Sequence, residues 1–193
     1  MAMKEVSYVR SHGSKAQLVT VGIALSDEKY TISEGTYRRI GCPLSGDYLD
    51  EDDMRAIARE DGERRALARA LKILSYADNS EKRLYTKLMV AGFEPAYAKF
   101  ATEECVRLGY LCEKSQLERF TVRLAEELWG PKKIMARLIS RGYAREDIGQ
   151  AIERLTDSGV IDFQQSRRKL IEKKLGDNFT AEDKHKLFKK YGY

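Results

Sequence analysis

Hydrophobic positions along most of the chain recur at the spacing that places side chains on one face of a helix. The clearest stripes are formed by Leu67, Ala70, Leu71 and Leu74, by Ala98, Ala101, Cys105 and Leu108, and by Ile148, Ala151, Ile152 and Leu155. Glycines that can end a helix follow these stripes, since Gly109 comes after the second and Gly159 after the third. The pattern predicts a mainly α-helical chain.

The N-terminal part of the chain follows a different period. Hydrophobic residues alternate with small or polar ones over 19–25, as in a half-buried strand. A turn at 26–28 and a returning strand at 29–33 would complete a hairpin, and a short helix is predicted over 34–40. Asp50 can cap a further helix. Because a lone hairpin is marginal in water, we expect this segment to pack on a helix or on a partner.

An internal repeat of fifty residues organises the rest of the sequence. Three segments align without gaps, and each ends in glycine followed by an aromatic residue: Ser80–Phe93, Gly130–Tyr143 and Thr180–Tyr193. A second marker recurs at the same offset, because Gly109-Tyr110-Leu111 corresponds to Gly159-Val160-Ile161. We interpret the chain as tandem repeats, in which the glycine of each Gly-aromatic pair ends a helix in the left-handed conformation.

Each of the first two copies is predicted to contain three helices, whereas the third ends after its second helix. Thr180 and Asp183 have the spacing of a capping box at the start of that last helix. Such units cannot bury their apolar faces alone, so neighbouring units must stack. The predicted fold class is therefore mainly α, with tandem three-helix repeats in an elongated array and a small N-terminal β-hairpin and helix segment. The predicted divisions are a flexible N-terminus over 1–15, the hairpin and helix segment over 16–62, three-helix repeats over 63–112 and 113–161, and a truncated repeat of two helices over 162–193.

Composition narrows the class of protein. Charged residues make up 34% of the chain and hydrophobic residues 42%, which is too apolar for a disordered chain and too polar for a membrane protein. The three cysteines form no CxxC pair and only two histidines are present, so neither a disulfide framework nor a metal site is predicted. This composition indicates a protein of the reducing cytoplasm. We also predict no enzyme activity and no cofactor, because no phosphate-binding glycine loop, HExxH or GxSxG motif is present.

Charge is distributed unevenly along the chain. The net charge is +5, but residues 162–193 carry nine Lys or Arg against five Asp or Glu, a net of +4, whereas 47–63 carry eight acids against two arginines, a net of −6. A basic C-terminal part suggests a polyanion or an acidic protein surface as a partner. An ordinary solvated helix face is the alternative interpretation.

The repeat residues resemble those of the RecX family of recombination regulators. The similarity rests on the run from Ala66 to Leu74 followed by Ser80-Glu81, on the Gly130–Ile134 step, on the Arg141–Tyr143 helix end, and on the acidic Gly46–Asp50 passage. It extends over about residues 16–193, and the order and spacing of the motifs carry it. The third copy departs from the family pattern, which continues through a further helix after the Gly-aromatic pair.

The resemblance implies a partner, the RecA recombinase. Family members dock in the groove of the RecA–DNA filament and restrain strand exchange, ATP hydrolysis and the coprotease role, and thereby affect DNA repair and the SOS response. Some members also bind single- or double-stranded DNA directly. The resemblance therefore implies a regulator that acts by binding, and we expect it to be a monomer that does not associate with membranes.

Basic residues in two parts of the chain are the candidate partner-binding or DNA-binding positions. Lys133, Arg137 and Arg141 follow the i, i+4, i+8 spacing of one helical stripe, and such a stripe could meet phosphates or acidic side chains. A denser cluster lies in the C-terminal part. The full candidate set is Lys132, Lys133, Arg137, Arg141, Arg167, Arg168, Lys169, Lys173, Lys174, Lys184, Lys186, Lys189 and Lys190.

Two other classes of function stay open at this point. Short helices with basic faces also build DNA-binding modules that act without RecA, and a generic helical scaffold for another protein would show neither activity. Trp129, the single tryptophan, is predicted to pack as a hydrophobic staple before Gly130-Pro131. His185 has no partner at a suitable spacing and is predicted to lie on the surface.

Overall fold

The structure, a computed structural model, describes residues 3–13, 17–176 and 179–193. Four strands and nine helices lie in these ranges. They are β1 (Lys4–Ser11), β2 (Leu18–Ile23), β3 (Lys29–Ser33), α1 (Glu34–Arg39), β4 (Tyr48–Leu49), α2 (Glu51–Tyr76), α3 (Glu81–Val90), α4 (Pro95–Arg107), α5 (Glu113–Glu126), α6 (Pro131–Ser140), α7 (Arg145–Asp157), α8 (Phe163–Lys174) and α9 (Ala181–Tyr191). The mainly helical fold class with a small N-terminal strand segment is confirmed.

The chain forms two compact units. The first contains residues 1–70 and 88–104, and the second contains 71–87 and 105–193. The predicted division at residue 63 does not coincide with a break, because α2 runs without interruption through Gly62. Gly62 leaves room for a neighbouring ring, since a Cβ there would lie 2.6 Å from Tyr97 Cε2. This glycine therefore serves close packing and does not end a helix.

A four-stranded antiparallel sheet dominates the first unit, in the order β3-β2-β1-β4. The predicted hairpin is confirmed, because β2 pairs with β3 from Leu18↔Ser33 to Gly22↔Lys29. The predicted flexible N-terminus is wrong for 4–11, which form the interior strand β1 between β2 and β4. The physical reason is that the hairpin alone would leave one side of β2 without a partner, and Val6, which is fully buried, fills the core beneath it. Residues 14–16 of the predicted division lie outside the described ranges.

The core of the first unit joins this sheet to α2. Val21, Ile32 and Ile57 are fully buried at its centre. Asp61, also on α2, is buried and accepts a hydrogen bond from the Thr31 backbone N–H at 3.0 Å, with Arg64 paired to it at 2.9 Å. The hairpin thus gains both an apolar support and a polar anchor on the helix, as a hairpin in water requires.

Three helices, α5, α6 and α7, pack around the main core of the second unit. Ile134 and Leu138 of α6 and Ile148 of α7 are fully buried there, together with Leu117 of α5. The Gly-aromatic pair after α6 ends that helix as predicted: Gly142 has φ +93°, and the Tyr143 N–H donates to the Leu138 carbonyl at 3.2 Å. The same bond recurs fifty residues later, from Tyr193 to Phe188 at 3.0 Å.

Two contacts between helix ends, which we call the helix-end joints, connect residues of the second unit that are far apart in sequence. In the first joint the Ser80 hydroxyl, at the start of α3, donates to the Arg141 carbonyl at the end of α6, at 3.0 Å. In the second joint the N–H of Gly130, before α6, donates to the Tyr191 carbonyl at the end of α9, at 2.8 Å. The Lys132 N–H adds a bond to the Gly192 carbonyl at 3.1 Å.

The two joints are built from corresponding residues of successive copies of the repeat. Ser80 and Gly130 differ by fifty, as do Gly142 and Gly192. In the second joint, free N–H groups at the start of α6 meet free carbonyls at the end of α9, so each end satisfies groups that the other leaves unpaired. In the first joint, the Ser80 hydroxyl satisfies the Arg141 carbonyl. The positive end of one helix dipole also faces the negative end of the next.

Gly130 is the sharpest test of the second joint. Its φ of −80° suits any residue, but a Cβ there would lie 2.5 Å from the Gly192 carbonyl oxygen. We therefore expect Gly130→Ala to lower the free energy of unfolding by about 1–3 kcal/mol through steric overlap alone. Urea unfolding followed by the fluorescence of Trp129 measures this loss.

Gly149→Ala is the matched control. Gly149 lies inside α7, and a Cβ there would meet only Met135 Cε, at the ordinary contact distance of 3.9 Å. Alanine should raise the free energy of unfolding by about 0.5–1 kcal/mol, because it lowers the entropy of the unfolded helix segment. Equal effects at both positions would contradict the proposed role of the joint.

Candidate binding site

The C-terminal helices α8 and α9 present most of the predicted basic residues, and both begin at well-formed caps. The Asp162 carboxylate accepts bonds from the N–H groups of Gln164 and Gln165 at 2.8 and 2.9 Å. The predicted capping box at Thr180 and Asp183 is confirmed, with the Asp183 N–H donating to the Thr180 hydroxyl at 3.2 Å. The hydrogen bonds to Thr180 hold the pKa of the Asp183 carboxyl below its ordinary value.

Side chains from α6, α8 and α9 meet in one surface cleft of about 440 Å³, which we call the basic cleft. Its cationic members are Lys132 and Lys133 from the first turn of α6, Arg167 from α8, and Lys189 from α9. In the described part of the chain, none of these four has a carboxylate within 4.0 Å. Since no carboxylate in the described ranges neutralises them, the positive charge of these cations stays exposed in the cleft.

The second joint explains why the cleft forms. A Cβ on Gly192 would lie 2.5 Å from the Lys133 backbone nitrogen, so the end of α9 approaches the start of α6 at backbone distance. This approach places Lys189 of α9 near Lys132 and Lys133, although the residues are more than fifty positions apart.

Aromatic rings form the floor of the basic cleft. The guanidinium of Arg167 lies 4.4 Å from the ring centroid of Phe188 and 5.8 Å from that of Tyr193. The two rings lie 5.7 Å apart, and the Tyr193 hydroxyl donates to the Leu128 carbonyl at 3.3 Å. Burial raises the pKa of Tyr193 above its ordinary value, so its hydroxyl stays protonated and remains a donor at neutral pH.

The other predicted residues of α8 and α9 lie outside the basic cleft. Lys184 lies 5.7 Å from the Phe188 ring centroid but does not line the cleft, and Lys186 forms an ion pair with Glu182 at 2.6 Å. Lys169 lines a separate pocket beside α5. The remaining members are exposed to solvent: Arg168, Lys173, Lys174 and Lys190.

The stripe predicted along α6 does not form one surface. The Arg137 guanidinium lies 3.8 Å from the centroid of the Trp129 ring and 3.8 Å from Glu127 Oε2, so it is half-buried. Arg141 follows the last residue of α6, and its guanidinium lies 4.5 Å from the Phe120 ring centroid. Of the residues predicted on α6, only Lys132 and Lys133 therefore reach the basic cleft.

Trp129 belongs to the second joint. Its ring stacks on that of Tyr191, with centroids 4.8 Å apart and an interplanar angle of 26°. The ring also packs on the main core of the second unit. Trp129 is thus a packing residue, as predicted, although the stacking on Tyr191 and Arg137 was not.

Two cleft residues, Phe188 and His185, were not among the predicted binding positions, whereas Tyr193 is one that the shortened third copy suggested as a contact. Phe188 stands fifty residues after Leu138, so the repeat indicated core packing for it. In the third copy the rings of Phe188 and Tyr193 are only partly buried and face the cleft. His185 is exposed, as predicted, and lines the same cleft. One sequence signal could have indicated that Phe188 lies at a charged surface: basic residues flank it on both sides along α9.

The described residues offer no metal centre and no bilayer-crossing helix. No group of three or more His, Cys, Asp or Glu side chains in these ranges is arranged to hold a metal ion. Within the same ranges, every helix is too short or too polar to cross a bilayer. The fold and the cleft together define a mainly helical protein with a basic, aromatic-floored surface cleft.

Comparisons with known proteins give the family. No family model matches the chain. The regulatory protein RecX of Pseudomonas fluorescens (strain Pf-5) is 30% identical over 113 residues, which are 58% of this chain and 70% of that protein. The regulatory protein RecX of Listeria welshimeri is 29% identical over 143 residues, 70% of this chain and 51% of that protein. The chain thus spans about half the length of the Listeria relative.

A crystal structure of a regulatory protein RecX shares the fold, with a TM-score of 0.69 and 19% identity over 98% of this chain and 94% of that one. The chain belongs to the RecX family.

The different surroundings of Arg137 and Lys132 make a testable prediction. Arg137→Gln should lower the free energy of unfolding by about 0.5–1 kcal/mol, because it removes the cation–π contact with Trp129 and the pairing with Glu127. Lys132→Gln should change it by less than about 0.5 kcal/mol, because among the described residues that side chain has no ion-pair partner to lose. Urea unfolding of both variants checks the difference, and a larger loss in Lys132→Gln would contradict it.

Proposed function

We propose that this chain is a regulator that binds the RecA recombinase, or its filament on DNA, and restrains its activity without catalysing a reaction. Membership of the RecX family supports this function. The basic cleft is the observation that carries it for this chain, because four cations converge on an aromatic floor without carboxylate partners of their own.

The chemistry of the cleft suits a surface that is anionic and partly apolar. Lys132, Lys133 and Lys189 can pair with acidic side chains or with phosphates, while Phe188 and Tyr193 supply apolar contact area. Arg167 is held against these rings, so less side-chain entropy is lost when it binds. Such a surface gains rate and specificity from charge, and its affinity falls with salt.

Direct DNA binding without RecA is the second candidate function. The same unpaired cations favour it, since each phosphate that a Lys or Arg neutralises releases counterions and strengthens binding at low salt. A DNA-binding module would act on DNA alone, whereas a filament regulator would require RecA.

The decisive measurement is the rate of DNA-dependent ATP hydrolysis by RecA as the chain is added. We expect the wild type to slow hydrolysis. The double variant Lys132→Glu with Lys189→Glu should require about tenfold more protein for the same effect, because two attractive charges become repulsive. This pair leaves Arg167 in place, whose replacement would also disturb Phe188 and Tyr193.

The matched control replaces Lys72 and Lys114, two exposed lysines on α2 and α5, by glutamate. It makes the same change in net charge away from the cleft and should slow hydrolysis as the wild type does. Absence of any effect by the wild type at stoichiometric amounts would overturn the proposed function. Fluorescence anisotropy of a labelled oligonucleotide without RecA then tests whether DNA binding alone accounts for the cleft.

A further inference from the structure

A second charged pocket lies at the first helix-end joint, within the second unit. It has a volume of about 310 Å³ and lies where α3 begins and α6 ends. Its polar wall contains Asn79 and Ser80, and three cationic side chains line it: Arg83, Lys87 and Arg141. We call it the α3 pocket. None of the predicted binding residues except Arg141 reaches it.

The three cations of the α3 pocket lack acidic partners. In the described part of the chain, none of them has a carboxylate within 4.0 Å. The one acid that lines the pocket, Asp78, is already paired with Arg119 at 2.8 Å. Three positive charges therefore surround a concave space without compensation, and an anion in that space would supply it.

The walls of the α3 pocket are held in place by partly buried hydrogen bonds. Lys87 Nζ donates to Asn79 Oδ1 at 2.7 Å, and the Asn79 amide donates to the Ala77 carbonyl at 2.6 Å. Asn79 and Ser80 are buried, and the Ser80 hydroxyl bonds the Arg141 carbonyl across the joint. Arg141 is further fixed over the Phe120 ring. Lys87 and Arg141 are thus held in place before any ligand arrives, which lowers the entropy that they lose on binding.

The electrostatics of Lys87 agree with an uncompensated site. Burial, and secondarily the charge of Arg83, lower the pKa of the Lys87 ammonium below its ordinary value. A bound anion would act in the opposite direction and favour the charged ammonium.

We propose that the α3 pocket binds a dianionic phosphate, either as free phosphate or as the terminal phosphate of a small ester. Three converging cations match the two charges of a phosphate monoester better than the single charge of a carboxylate or of a phosphodiester. The two guanidinium groups can each donate paired hydrogen bonds to phosphate oxygens, while Lys87 supplies a point charge. The volume lies at the lower end of the range for ligand pockets, which suits a small anion.

Nuclear magnetic resonance of the full chain tests this site. Inorganic phosphate and glycerol phosphate are titrated at pH 8 and constant ionic strength, with acetate and an oligonucleotide without terminal phosphates as comparisons. We expect saturable shifts of the amide resonances of Asn79, Arg83 and Arg141 with at least one of the two phosphates. The phosphate that binds more tightly identifies free or esterified phosphate as the source.

Variants that each remove one positive charge complete the test. Arg83→Gln, whose side chain is exposed and without an ion pair in the described ranges, and Lys87→Gln should each weaken phosphate binding about tenfold while far-ultraviolet circular dichroism stays unchanged. Lys99→Gln, an exposed lysine of α4, removes the same charge and should leave binding unaltered. The proposal is overturned if neither phosphate shifts these resonances, if acetate or the oligonucleotide shifts the same resonances at equally low concentration, or if Arg83→Gln binds phosphate like the wild type.

Discussion

The helix-end joints are the interaction on which the second unit depends. A helix leaves unpaired N–H groups at its start and unpaired carbonyls at its end, and burying either without a partner is unfavourable. Here the end of α9 meets the start of α6 through main-chain hydrogen bonds, so these groups satisfy one another. At the end of α6, the Ser80 hydroxyl, at the start of α3, satisfies the Arg141 carbonyl. Both charged pockets lie beside a joint: the α3 pocket at the first and the basic cleft at the second.

This arrangement explains why positive charge collects at these positions. The start of a helix already carries partial positive charge, so Lys or Arg side chains there are not favoured by the helix itself. Lys132 and Lys133 nevertheless occupy the first turn of α6, and Arg83 the first turn of α3. Such placement is unfavourable for an isolated helix. The joints compensate part of this charge, and we propose that a bound anion compensates more of it in both pockets.

Much of the fold could be predicted because the motifs that recur every fifty residues are short and each acts on the helix next to it. Each Gly-aromatic pair predicted a left-handed helix end, and Gly92, Gly142 and Gly192 all have positive φ. Strand β1 was missed because its partners follow it in the chain and its own alternation is weak. The half-buried position of Arg137 could not be predicted either. Its guanidinium lies on the Trp129 ring, and that ring stacks on Tyr191, which comes fifty-four residues after Arg137 in the chain. The repeat indicated which residues are equivalent, but tertiary contacts decide which of them face solvent.

The close backbone contact between Gly130 and Gly192 also affects how far sequences with this fold can diverge. The second joint consists of main-chain hydrogen bonds between Gly130, Lys132, Tyr191 and Gly192, and its tightest contact requires only that two side chains be missing. These main-chain bonds do not directly involve the side chains of α6 and α9. Selection can therefore remodel the charge of the surrounding surface while the junction stays intact, and a protein with 19% identity can retain the same fold.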